Sequence, residues 1–180
     1  WGKVLGGGVG YMILGPIGAL FGVALGHAFD HAQSKNCRAN ERIQTAFFGA
    51  LFSCMGHVAK ADGRVSPQEI QAVRAIMHQM RLNNEQVKVA IKLFTQGKDD
   101  DFDVKGVLAQ FKQASRHRTN LLRMFMQLQL QAAYAEGTLK RPAERLLISV
   151  AAQLGFSAES FARMHQSFQA QMSFSKWRAE

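Results

Sequence analysis

From Val4 to Phe29 the chain carries no Asp, Glu, Lys or Arg. As one α-helix that run rises about 39 Å, more than the ~30 Å of a bilayer's hydrocarbon core, so it can cross a membrane once. A cleaved signal peptide has a basic leader, a shorter apolar core and a small-residue cleavage site. Here a single Lys3 precedes the run, and the run is longer than such a core. The expectation is a retained transmembrane helix over residues 1–33 and a basic juxtamembrane linker over residues 34–40. Lys35, Arg38 and Arg42 follow the span. By the positive-inside bias the chain then crosses once, with its N-terminus outside and its body in the cytoplasm.

Glycine gives that span a second property. Gly6, Gly10, Gly18, Gly22 and Gly26 follow a spacing of four that only Leu14 interrupts. Residues four apart share a helix face, so these positions form a bare stripe on which another helix can pack closely. Self-association through the span, as a homodimer, is the expectation. A hairpin bent at Gly15-Pro16 is disfavoured, because each arm would be about a dozen residues and too short to cross.

Beyond Asp30 the pattern becomes amphipathic. Ile43, Phe47, Leu51, Cys54 and Val58 recur at three- and four-residue steps, as do Ile70, Val73, Met77 and Met80. Leu121, Phe125, Leu128 and Ala132 repeat the spacing, then Leu147, Val150 and Leu154, then Phe161, Met164 and Phe168. This period predicts helices with one buried face, and no alternating strand pattern accompanies it. Ser66-Pro67-Gln68-Glu69 reads as a helix start with a capping box, Asn83 or Asn84 and Ser157 as further starts, and Gly63, Gly97, Gly137 and Gly155 as stops. The fold class is therefore all-α: one membrane helix, then a bundle of about seven helices over residues 41–172, with residues 173–180 opening a C-terminal linker. An internal echo is visible as well. Ala61-Asp62-Gly63 before Ser66-Pro67-Gln68-Glu69 is matched by Ala135-Glu136-Gly137 before Arg141-Pro142-Ala143-Glu144. Two related helix-turn-helix units are expected to pack with approximate symmetry.

Several activities find no support. Cys37 and Cys54 lack C-x-x-C spacing, the six histidines lack H-E-x-x-H spacing, and there is no G-x-S-x-G elbow. Cys54 and His57 are neighbours on one helix, without a motif that would make them nucleophile and base. The chain is read as a non-enzyme. Asp99-Asp100-Asp101-Phe102-Asp103 lacks the alternate spacing of a calcium-binding loop and reads as a solvated turn and helix cap. Lys and Arg outnumber Asp and Glu by 22 to 13. Lys112, Arg116, His117, Arg118 and Arg123 form the densest basic stretch, either an ordinary solvated face or a contact surface for acidic lipid or protein. No base-reading motif or aromatic platform accompanies it, so nucleic acid is not expected. Met77, Met80, Met124, Met126 and Met164 are either core or the lining of an adaptable groove.

The opening Trp1-Gly2-Lys3, the span's end Leu25-Gly26-His27-Ala28-Phe29-Asp30, and Met55-Gly56-His57-Val58-Ala59-Lys60 leading into Gly63-Arg64-Val65 share a pattern with one family. So do Arg123-Met124-Phe125, Gln131-Ala132-Ala133-Tyr134-Ala135 and the Pro142, Glu144 turn. In these residues, and in that order over nearly its whole length, the chain resembles the DjlA family of membrane-anchored, DnaJ-like co-chaperones with a TerB-like domain. The resemblance implies a bacterial inner-membrane protein with a small periplasmic N-terminus, a dimerising span and a cytoplasmic TerB-like body. It further implies a C-terminal J domain that acts on a DnaK-type Hsp70, and a membrane-protein or envelope-stress client. A J domain's His-Pro-Asp loop is missing here, since Pro16, Pro67 and Pro142 follow Gly, Ser and Arg. That domain is expected beyond Glu180. TerB-like domains also imply a divalent-metal alternative, with Asp62, Glu69, Glu136 and Glu144 as its oxygen ligands, in a stand-alone membrane sensor or scaffold. The competing reading of Glu69 and Glu144 is helix capping at the third helical position, and no cofactor is otherwise expected.

Overall fold

The computed structural model describes residues 35–179, with side chains over residues 40–174. The expected membrane helix and its stripe of Gly6, Gly10, Gly18, Gly22 and Gly26 lie outside the described residues. Among the described residues no helix is long and apolar enough to cross a membrane.

Seven α-helices follow one another, with no strand among the described residues. They are α1 (Lys35–Ala59), α2 (Pro67–Gln79), α3 (Asn84–Gly97), α4 (Val104–Ala114), α5 (Thr119–Ala133), α6 (Arg141–Leu154) and α7 (Ala158–Ala179), with a short 3-10 turn at Lys60–Asp62. Neither Gly nor Pro occurs between Lys35 and Phe48, and α1 accordingly runs without a break through residues 35–40. The same absence of breakers lets α7 continue through residues 173–179.

Local chemistry sets the boundaries. Ser66 Oγ accepts from the Glu69 amide at 3.2 Å and Glu69 Oε2 accepts from the Ser66 amide at 2.8 Å, which closes a capping box at α2. Asn83 and Gln86 repeat the arrangement at α3. Asp103 caps α4 through the Gly106 amide at 2.9 Å, so the acidic run is indeed turn and cap. The second copy of the echo departs from the first. Lys140 stands at the cap of α6 without a side-chain bond to the helix's first amides, Pro142 falls at the second helical position and Glu144 at the fourth, not the third. The extra residue in that loop has displaced the capping register by one.

Helix α1 runs through the middle of the bundle, and Ala50, Leu51, Phe52 and Cys54 are fully buried. Its neighbours are α3, α4 and α5. Phe47 meets Phe111 of α4 at 5.9 Å and Phe125 of α5 at 6.4 Å between ring centroids. The Gln129 side-chain amide donates to the Leu51 carbonyl at 2.9 Å, a buried tie between α5 and α1. Against α3, two close approaches have no side chain between the helices. A Cβ at Gly97 would fall into the Ser53 carbonyl, and one at Gly56 into the Phe94 carbonyl, so backbone meets backbone at both places. Ser53 is compatible with this crowding because its hydroxyl donates back to the Gly49 carbonyl at 2.6 Å within α1.

The sign of one substitution tests this packing. Glycine to alanine inside an exposed helix stabilises by roughly 0.5–1 kcal/mol. Gly56→Ala or Gly97→Ala should instead destabilise by about 1–3 kcal/mol or more, since the neighbouring group is backbone and cannot rotate away. Chemical denaturation followed by helical circular dichroism measures the difference.

Candidate functional site

The two turns of the echo come together in the fold. Asp62 ends the 3-10 turn before Gly63, at φ 90°, and Glu136 precedes Gly137, at φ 86°, so both turns need the left-handed conformation that glycine adopts readily. Between them lies Lys140. Its Nζ is 2.6 Å from Asp62 Oδ2 and 3.1 Å from Glu136 Oε2, and the Ser66 side chain also bonds Glu136. The Lys140 hydrogen bond holds the Asp62 carboxyl below its ordinary range, Ser66 and Lys140 do the same for Glu136, and the two carboxylates raise Lys140.

Of the four carboxylates expected to hold a metal, Asp62 and Glu136 thus meet at an ammonium, Glu69 is half of a capping box, and Glu144 sits in the first turn of α6. Among the described residues no group of three or more His, Cys, Asp or Glu is arranged to hold a metal ion. A divalent cation between the turns would have to displace Lys140. The depressed carboxyls contribute stability that is complete above the unfolded carboxylate range of about 3.9–4.3 and is lost as pH falls through their folded values. Lys140, being raised, contributes stability that is lost only as pH climbs past the ordinary lysine range near 10.4. Lys140→Met should therefore lower the melting temperature at neutral pH and shrink the gap between neutral and acid stability. A thermal melt series from acid to neutral pH checks both.

A second feature lies on the outer side of α5. Helices α2, α5 and α7 border a groove of about 740 Å³ whose apolar lining includes Met80, Met124, Leu128, Phe156, Met164 and Phe168. Among the fourteen residues that line it, Arg123 and Arg163 are charged and none is acidic. Arg163 also approaches the exposed Glu159 at 3.8 Å. Four glutamines and two serines complete the lining, and two of the glutamines, Gln131 and Gln79, bond each other across it at 3.3 Å. The methionines expected to act together are divided: Met80, Met124 and Met164 line the groove, whereas Met77 and Met126 are buried in the core. Helix α7 is fixed as the groove's wall by Tyr134, whose hydroxyl lies 2.6 Å from His165 Nε2 and accepts from Gln169 at 2.9 Å. The sequence held one hint of this tie, the placement of both partners on the α7 stripe that carries Phe161 and Phe168.

The expected basic surface is divided as well. Lys112 and Arg116 lie with Lys105 along a shallow cleft of about 590 Å³ on α4, while Arg123 opens on the groove. Lys105 escaped notice in the sequence, although its spacing to Lys112 and Arg116 keeps one helical face. His57 is half-buried, bonded to the Gly97 backbone and tilted against Phe102 at 5.7 Å, and burial lowers its pKa. Burial pushes the Cys54 thiol up to about 12, so it stays protonated and inert beside His57.

Comparison with known proteins agrees with this architecture. The family model of the tellurite resistance protein TerB matches residues 49–166, and that of the co-chaperone DjlA transmembrane domain matches residues 1–36. A co-chaperone protein DjlA of Legionella pneumophila subsp. pneumophila is 39% identical over 171 residues, 87% of this chain and 56% of the relative. That of Photobacterium profundum is 39% identical over 178 residues, 92% of this chain and 64% of its own length. The Coxiella burnetii protein is 34% identical over 186 residues, covering 98% and 69%. The chain thus spans between 56% and 69% of the length of these relatives. No solved structure matches it. A membrane segment followed by a TerB domain, in relatives that share both, places the chain in the DjlA family of membrane-anchored co-chaperones.

Proposed function

We propose that the chain is the membrane-anchoring, self-associating and partner-binding region of a co-chaperone, and that it acts by holding and presenting other modules and not by catalysis. Its relatives carry the name co-chaperone, and the proposal extends that role to a DnaK-type Hsp70 engaged through a J domain outside this sequence. Lys35, Arg38 and Arg42 after the span favour a cytoplasmic body and a short periplasmic start, in the inner membrane of a bacterium. The observation that carries the partner-binding part is the groove between α2, α5 and α7, with six apolar side chains set among glutamines and serines and only cationic charge. Such a surface suits an amphipathic helical segment of a client or partner, its apolar positions against Met124, Met164 and Phe168 and its carboxylates against Arg123 and Arg163.

Tethering gives this arrangement its effect. A module fixed to the bilayer meets membrane-bound clients at a raised local concentration, and pairing of two spans doubles the modules presented. Each half of the proposal has its own measurement. Gly18→Ile with Gly22→Ile should reduce self-association in a membrane two-hybrid assay by about tenfold while the helical signal of the body is unchanged, because bulky side chains keep the spans apart. For the groove, a photo-crosslinking residue at Met124 in the full-length protein should capture a partner segment, and Arg123→Glu with Arg163→Glu should abolish that product. Crosslinks that survive the double reversal would remove the groove from the proposal.

A further inference from the structure

The register of the helices places one cationic tip beside the start of α1. Helix α4 runs antiparallel to α1: the His57 ring lies against Phe102, just before α4, and Phe47 against Phe111. Helix α5 runs parallel to α1, since Phe47 meets Phe125 and Leu51 accepts from Gln129. Extending the first register puts Arg116 level with residue 42 of α1, and extending the second puts Thr119 level with residue 41. The two agree. The α4–α5 connection, carrying Arg116, His117 and Arg118, therefore sits beside the start of α1, about 10 Å along its axis from Lys35 at 1.5 Å per residue.

The match to the transmembrane family model extends to residue 36, at the start of α1, and the uncharged run ends six residues before Lys35, at Phe29. A separation of about 10 Å is close to one Debye length at physiological salt, and an arginine side chain spans much of it. Lys112, Arg116, His117 and Arg118 are all exposed, and none of them pairs with a carboxylate among the described residues. At the same level α1 contributes Arg42, with Glu41 as the local acid. His117 holds the connection in a left-handed turn at φ 66°, which separates the end of α4 from the start of α5 and displays both arginines.

The geometry points to a membrane-contact site: the tip formed by Lys112, Arg116 and Arg118 docks on the anionic phosphate headgroups of the bilayer in which the chain is itself anchored. This goes beyond the co-chaperone reading and rests only on the anchor. The contact supplies a second point of attachment, so the body is held at a set tilt on its membrane helix and the groove on α5 faces a set direction.

The test uses the full chain in nanodiscs, with Cys37→Ser and a fluorophore on Asn120→Cys, and an acceptor on the lipid headgroups. Cys54 is buried and does not compete for label. Discs of phosphatidylcholine are compared with discs in which a third of the lipid is phosphatidylglycerol. Phosphatidylglycerol should raise transfer efficiency, and high salt should reverse the rise. At about 1 kcal/mol, or roughly fivefold, per basic residue near an anionic surface, Arg116→Glu with Arg118→Glu should lower the docked-to-free ratio about twentyfold or more. Arg116→Lys with Arg118→Lys should retain docking, and Lys88→Glu at the far end of the bundle should leave it unchanged. Equal transfer in the two kinds of disc, or a rise that survives the double reversal, would overturn the site. Failure of the chain to insert into discs at all would instead strike the anchor, so the two ideas fail separately.

Discussion

Everything in this fold is arranged around the contact of α1 with α3 through Gly56 and Gly97. Two helices that touch by backbone are closer than side-chain layers allow, and the approach fixes both separation and crossing point. The remaining helices then pack on an axis already defined. Phe47, Phe111 and Phe125 fill the space that α3 does not occupy, and the amide of Gln129 meets a main-chain carbonyl of α1 in the dry interior. A buried donor without such a partner would cost free energy, so this bond also selects the register of α5 against α1. The Gln129 carbonyl oxygen has no partner of its own, a local cost that the tie evidently outweighs.

Helix α1 is the central helix of the body, so its packing sets the position of the others, and it enters the core at Ala46. The first three turns are largely exposed at the residues described, and the burial begins where Phe47 meets α4 and α5. The Lys140 bridge acts at the opposite end of α1, where it joins the turn after α1 to the turn before α6. Two loops that share a sequence pattern are thus tied by one ammonium.

Much of this was legible in the sequence because it was written in local chemistry. Ser66 with Glu69 and Asp103 before Val104 satisfy amides a few residues away, so spacing alone reveals them. The helical period of Leu147, Val150 and Leu154 marked a buried face, and all three are buried. What stayed hidden depends on residues far apart in the chain. Gly97 reads as a helix stop and does end α3, yet its structural role is to admit Ser53, which no spacing rule connects to it. Five methionines at helical spacing could not be divided into lining and core until the partners of α5 and α7 were known. Lys140 was invisible for the same reason, since its two acids are four and seventy-eight residues away. The capping role expected of Glu144 failed by one position, because a single extra loop residue shifts a cap without disturbing the apolar period behind it.

Register also constrains where the groove can act. Helix α5 runs beside α1 with Arg123 level with residue 45 and Gln131 level with residue 53, as the Phe125 and Gln129 contacts require. The groove's α5 wall therefore lies between about 15 and 27 Å along α1 from Lys35, at 1.5 Å per residue. One phenylalanine contact and one glutamine bond to α1 therefore set the groove at the middle of the central helix, and a change at Phe125 or Gln129 would shift the α5 wall and the groove with it.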